Sequence, residues 1–165
     1  MTLNILITGA TCTGKSTLGS ELLKSLSDYE LIESKTFLEE HNLLEEYDQD
    51  RQSWIYSPDK LDEKLEAYLK TRNNIIFSGA PALIDEKIVE LIIVLICLKP
   101  KILEARLVER NYSKAKILEN VEAELMGEIQ GTIESYYSFE KILILDSCEN
   151  NIDALISKII DKLKR

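Results

Sequence analysis

Gly9-Ala10-Thr11-Cys12-Thr13-Gly14-Lys15-Ser16-Thr17 follows directly on an apolar run at residues 3–8 and leads into a segment with Leu18, Leu22, Leu23 and Leu26 on one helical face. The nonapeptide fits G-x-x-x-x-G-K-[ST] set between a strand and a helix, the pattern of a loop that cradles phosphate groups. Each fixed position has a physical task. Gly9 and Gly14 let the backbone turn tightly and approach an anion without a side chain intervening. Successive N–H groups and the following helix N-terminus supply positive potential. Lys15 reaches β- and γ-phosphates, and Ser16 offers its hydroxyl to Mg²⁺. The residues therefore predict nucleotide binding; phosphoryl transfer needs further parts, because such loops also serve switches and assembly factors.

Outward from the loop, apolar runs alternate with helical patterns. Strands are expected at residues 29–33, 74–78, 91–98 and 141–145, with 91–98 apolar on both faces as in a covered parallel sheet. Helices are expected at 36–44, 59–72 and 100–111. A single helix is read from Ser113, its Ile117, Val121, Leu125, Ile129 and Ile133 recurring every four residues. A last helix carries Ile152, Leu155, Ile156, Ile159, Ile160 and Leu163, and residues 45–58 read as polar and irregular. Five strands alternating with helices predict an α/β P-loop NTPase fold: one domain, with a five-stranded parallel sheet covered on both faces.

Composition narrows the function. The 165 residues include 20 Lys+Arg and 29 Asp+Glu, a net charge of −9. That argues against a general nucleic-acid coat, which needs a basic footprint, and leaves room for a local cationic pocket or a basic protein partner. One histidine (His41) and three cysteines (Cys12, Cys97, Cys148) cannot supply a four-ligand zinc site. The unpatterned cysteines read as reduced thiols of a cytoplasmic protein rather than a disulfide framework. No stretch is apolar for long enough to cross a bilayer, and no leader pattern opens the chain.

The loop, residues 43–61 and above all 106–124, with the pattern R-x-x-x-R-x-Y-x-x-x-K-x-x-E-N-x-x-A-E, resemble the adenylate kinase isoenzyme 6 type family. The resemblance covers about residues 3–160. It implies a P-loop kinase core with a monophosphate-binding segment at about 33–55 and a short lid at about 109–119. It also implies adenylate kinase and ATPase activities with ATP and Mg²⁺, AMP as acceptor, and a part in small ribosomal subunit maturation. There the partner is a platform ribosomal protein, with pre-ribosomal RNA met only inside the assembly complex. Carried over, Cys12, Gly14, Lys15, Ser16 and Thr17 meet the ATP phosphates with Gly9 and Thr13 completing the loop, Ser16 is the metal ligand, and Arg110 is the lid arginine. Its planar guanidinium suits developing phosphoryl charge, so Lys15 and Arg110 are the expected catalytic pair.

Two departures stand out. Relatives carry Pro and Gly where Thr11 and Cys12 stand; Cys12 is read as a simple substitution rather than a redox-sensitive thiol. Relatives also end the third strand with Asp and His two residues apart, where this chain has Ser78 and Ala80. A hydroxyl does not replace a carboxylate's charge beside Mg²⁺, and alanine offers no proton chemistry. Weakened phosphoryl transfer is therefore expected, unless Asp85, Asp48 or Asp50 folds into the site. Asp146 is expected beside the adenine. His41 is read as solvated, Tyr47, Trp54 and Tyr56 as base-stacking, partner-anchoring or packing residues, and Glu119, Glu122, Glu124, Glu128 and Glu134 as an acidic face suited to a basic partner. Two other functions stay open: a catalytically weakened, nucleotide-gated assembly factor, and a different small-molecule kinase on the same fold.

Overall fold

A computed structural model describes residues 4–164, so Leu3 of the first expected strand lies outside the described residues. The first half of the chain forms β1 (Ile5–Gly9), α1 (Lys15–Ser25), β2 (Glu30–Glu33), α2 (Ser34–Glu40), β3 (Leu44–Asp48), β4 (Ser53–Tyr56) and α3 (Pro58–Leu69). The second half forms β5 (Ile75–Gly79), β6 (Leu91–Ile96), α4 (Pro100–Glu109), α5 (Lys114–Leu125), α6 (Glu128–Tyr136), β7 (Ile142–Asp146) and α7 (Ile152–Leu163).

Every residue of β1 is buried, which requires a central strand covered on both faces. It lies between β5 and β6 in a parallel sheet of order β2-β5-β1-β6-β7. One face packs Leu18 and Leu22 of α1 and Leu155 and Ile159 of α7 against Ile5, Ile7 and Ile93. The other packs Leu61, Leu65 and Leu69 of α3, with Ile133 of α6, against Leu6, Phe77 and Ile92. The chain runs from β1 first to one side of the sheet and then to the other. The crevice at the carboxyl ends of β1 and β6 is therefore the switch point where such sheets bind ligands, and the phosphate-binding loop leaves β1 there.

Four expectations are corrected. Residues 45–58 are largely an antiparallel hairpin, β3 paired with β4. Most residues of both strands are exposed or half-buried, so no apolar alternation marked them. The helix expected from Ser113 is two: Gly127 takes a left-handed φ of 66° between α5 and α6, although the apolar period continues through the break. The helix expected at 36–44 stops at Glu40, because Leu44 is taken into β3. Finally, Cys97 and Cys148 form a disulfide with Cα atoms 5.2 Å apart, leaving Cys12 as the free thiol. They follow the ends of adjacent parallel strands whose register pairs Ile96 with Asp146. Sheet order brings them together across a separation of 51 residues.

Candidate nucleotide-binding site

Backbone conformation builds the loop. A Cβ at Gly9 would overlap the Leu95 carbonyl oxygen on the neighbouring strand, so glycine is required. Gly14 holds a left-handed φ of 99° and opens α1. Cys12 also adopts a positive φ, 64°, a conformation that costs a residue with a Cβ about 1–2 kcal/mol relative to the right-handed region. Inside the loop, the Thr13 hydroxyl donates to the Ala10 carbonyl at 2.9 Å, and Lys15 Nζ donates to the same oxygen at 2.6 Å. Lys15 is half-buried and forms part of a cavity wall. Burial lowers its pKa from 10.5 to about 8, against the weaker raising effects of Cys12, Glu124 and Glu33.

Two cavities flank the loop. One, about 550 Å³, is walled by Cys12, Gly14, Thr17, Arg110, Ser147 and Asn150. The other, about 500 Å³, is walled by Lys15, Ser16, Glu33, Ala80, Arg110 and Glu124. Arg110 lines both, at the carboxyl end of α4. Arg106, one turn earlier, has a different job. Its guanidinium donates to the Cys12 carbonyl at 3.3 Å, to Ser147 Oγ at 3.4 Å and to the Ser147 carbonyl at 3.5 Å, clasping the phosphate-binding loop to the turn after β7. Asp146 accepts from the Cys148 N–H at 2.8 Å and so fixes that turn.

Glu124 departs from its expected place on a solvated acidic face. It is buried, its carboxylate accepts the Cys97 N–H at 2.6 Å, and it lines the Lys15 cavity. Burial raises its pKa, opposed by the Cys97 hydrogen bond and the attraction of Lys15. Four-residue spacing along α5 did not reveal this, because α5 packs on α4 and the backbone N–H of Cys97, just beyond β6, takes the Glu124 carboxylate inward. Glu119, Glu122, Glu128 and Glu134 are exposed, as expected. His41 is half-buried rather than solvated, its ring 4.2 Å from that of Phe37 and 6.0 Å from that of Tyr68. Tyr47 and Trp54 meet edge to face at 5.3 Å across the hairpin, both partly exposed.

Neither Asp85 nor Asp48 folds into the site. Asp85 caps the Lys87 N–H beyond β5, and Asp48 accepts the Arg51 N–H in the hairpin turn. Neither they nor Asp50 line the Lys15 cavity. Ser78 is fully buried and its hydroxyl has no partner among the described atoms, while Ala80 forms part of the cavity wall. The Ser16 hydroxyl donates to Glu33 Oε2 at 3.3 Å. Among the described residues no cluster of three or more acidic, His or Cys side chains forms a cage for a metal. A hydroxyl beside a single carboxylate nevertheless fits Mg²⁺, which keeps several waters and takes its remaining ligands from substrate phosphates.

The hairpin is tied to the segment expected to form the lid. Gln52 Oε1 accepts the Ser113 N–H at 2.8 Å, and Lys116 Nζ donates to the Gln52 carbonyl at 2.7 Å while lying 4.0 Å over the Tyr112 ring. Gln52 is a residue that sequence reasoning missed; its left-handed φ of 48° has no sequence signal.

The sheet order, with the loop at the end of its central strand and a cavity on either side, is that of a P-loop kinase. Solved structures share it. A shikimate kinase from Bacteroides thetaiotaomicron superposes with a TM-score of 0.64 at 16% identity, covering 99% of both chains. The YorR protein of Bacillus subtilis, in complex with phosphorylated GDP, gives 0.66 at 15% identity, covering 98% of this chain and 95% of that one. Residues 5–127 match a family described as AAA domain. The chain is 32% identical over 158 residues to the adenylate kinase isoenzyme 6 homolog FAP7 of Saccharomyces cerevisiae, covering 95% of this chain and 80% of that protein. It is 33% identical over 147 residues to the adenylate kinase isoenzyme 6 homolog of Caenorhabditis elegans, covering 87% and 79%. The chain belongs to the adenylate kinase isoenzyme 6 family. Among the described residues no helix is long and apolar enough to cross a membrane.

Proposed function

We propose that the protein transfers the γ-phosphoryl group of ATP to AMP, giving two ADP, and hydrolyses ATP as a side activity. The observation that carries this reading is Arg110, which lines both cavities with Lys15 at the wall of one. One cavity would take the donor's base and ribose, and the other the acceptor and the transferring group. Gly9, Cys12, Thr13, Gly14, Lys15, Ser16 and Thr17 would bind the donor phosphates, with N–H groups and the α1 N-terminus supplying positive potential. Lys15 would exchange its Ala10 carbonyl for phosphate oxygens, and Arg110 would meet the charge that develops on the transferring group. Mg²⁺ carried in with ATP and held by Ser16 would neutralise β- and γ-phosphate charge. Catalysis of this kind is positioning and electrostatics.

A second reading has its own support. With Ser78 and Ala80 where relatives keep Asp and His, ATP binding or slow hydrolysis could gate release of a basic platform ribosomal protein during cytoplasmic small-subunit maturation. The exposed glutamates of α5 and α6 offer such a partner complementary charge. A different small-molecule acceptor has less support, because the 106–124 pattern follows this family. The test is ADP formation from ATP with AMP, other monophosphates or water as acceptor, together with nucleotide-dependent binding to small-subunit components. AMP-stimulated ADP formation supports the first reading. Nucleotide-sensitive association without AMP stimulation supports the second. Absence of both results defeats both readings.

A further inference from the structure

We infer that Glu33 supplies the metal-facing carboxylate that this chain lacks at position 78, from one strand further out in the sheet. This rests on the nucleotide-site reading above. β2 and β5 run parallel with Glu33 directly opposite Ser78, and residues in register across neighbouring strands project from the same face of a sheet. That face is the one covered by α1: Ser78 Cβ lies 3.7 Å from where a Cβ on Gly19 would stand. The Ser16 hydroxyl, on the first turn of the same helix, donates to Glu33 Oε2 at 3.3 Å. Neighbouring strands are about 4.8 Å apart, and glutamate's extra methylene recovers part of that distance. A carboxylate lost from β5 is thus regained on β2, still against Ser16.

Ser78 is an independent pointer to the same place. Its hydroxyl is fully buried without a partner, and a buried polar group in that condition marks a position a water or ion completes. A water held between the Ser78 hydroxyl and the Glu33 carboxylate would belong to the hydration shell that Mg²⁺ retains. Glu33 also lines the Lys15 cavity. Without Mg²⁺, its negative charge next to Ser16 opposes a triphosphate; with Mg²⁺, the opposition becomes attraction. Glu33 therefore couples metal and nucleotide binding as a positioning residue.

The test is ATP affinity by calorimetry with and without Mg²⁺, in the native protein, Glu33→Gln and Glu33→Gln/Ser78→Asp, alongside Mn²⁺–ATP binding followed by electron paramagnetic resonance. The native protein should bind ATP at least tenfold tighter with Mg²⁺. In Glu33→Gln that ratio should fall below threefold, with metal-free ATP binding tighter than in the native protein and bound Mn²⁺ reduced. Restoring the strand-end carboxylate in the double variant should recover the ratio. Glu33→Gln is near-isosteric at a half-buried position, and its melting temperature serves as the folding control. An unchanged ratio in a folded Glu33→Gln overturns the inference while leaving the nucleotide site standing. Absence of ATP binding to the native protein with Mg²⁺ overturns both.

Discussion

Raising the pH through 8 should neutralise Lys15 in the free protein well before ordinary lysines, and ATP should reverse this. Burial holds the free ammonium at about 8 instead of 10.5, with Cys12, Glu124 and Glu33 resisting the shift and Arg110 adding to it. A triphosphate against the loop favours the charged form and so raises the pKa again. Binding must then take up a proton wherever free Lys15 is neutral. With a free pKa of about 8, the neutral fraction is about three quarters at pH 8.5 and about one tenth at pH 7. Calorimetry in two buffers of different ionisation enthalpy reads this directly, as uptake of about 0.75 proton per ATP at pH 8.5 and about 0.1 at pH 7. Affinity should fall above pH 8, approaching tenfold per unit. The sign for stability is the opposite. Between about 8 and 10.5 the unfolded chain binds more protons than the folded one, so Lys15 makes the free protein more stable as pH rises through that window. Zero proton uptake at pH 8.5, with affinity flat from pH 7 to 9, would refute the reasoning.

Three further outcomes follow from local geometry. Cys12→Gly should relieve the left-handed strain at φ 64°, but glycine's larger unfolded-state entropy and the loss of the thiol's packing near Leu103 and Leu107 offset it. Stability should therefore change by less than about 1 kcal/mol; a larger shift in urea unfolding would contradict this. Replacing Cys97 and Cys148 with serine releases a cross-link spanning 51 residues and should cost about 2–4 kcal/mol in urea unfolding, where an unchanged midpoint would count against the pairing. Gln52→Ala removes the acceptor of the Ser113 N–H, and hydrogen exchange at Ser113 should quicken with little change in global stability.

What could be read from the sequence was what is local. The loop's glycines and Lys15 lie within nine consecutive residues directly between their strand and helix, and the buried strands announce themselves because both of their faces are apolar. What could not be read depends on tertiary placement. Glu33 meets Ser16 through strand register, Glu124 turns inward to the Cys97 N–H because α5 packs on α4, and Cys97 finds Cys148 because β6 and β7 are neighbours. The hairpin went unseen for a related reason: Tyr47 and Trp54 pack on each other while only the paired Leu44 and Tyr56 reach the core, so no apolar alternation runs along its strands. Gly127 shows the converse, where the apolar period from Ile117 to Ile133 runs unbroken across a true helix boundary.

The central claim is that Lys15 and Arg110 serve phosphoryl transfer between nucleotides on either side of the loop. Its most direct test is ADP formation from ATP and AMP by the native protein, Lys15→Ala and Arg110→Ala, followed by phosphorus NMR so that each product is counted. The account predicts two ADP for every ATP and AMP consumed, lost in Lys15→Ala and reduced by about a hundredfold or more in Arg110→Ala. ADP formation indifferent to AMP, or undiminished in Lys15→Ala, would contradict it.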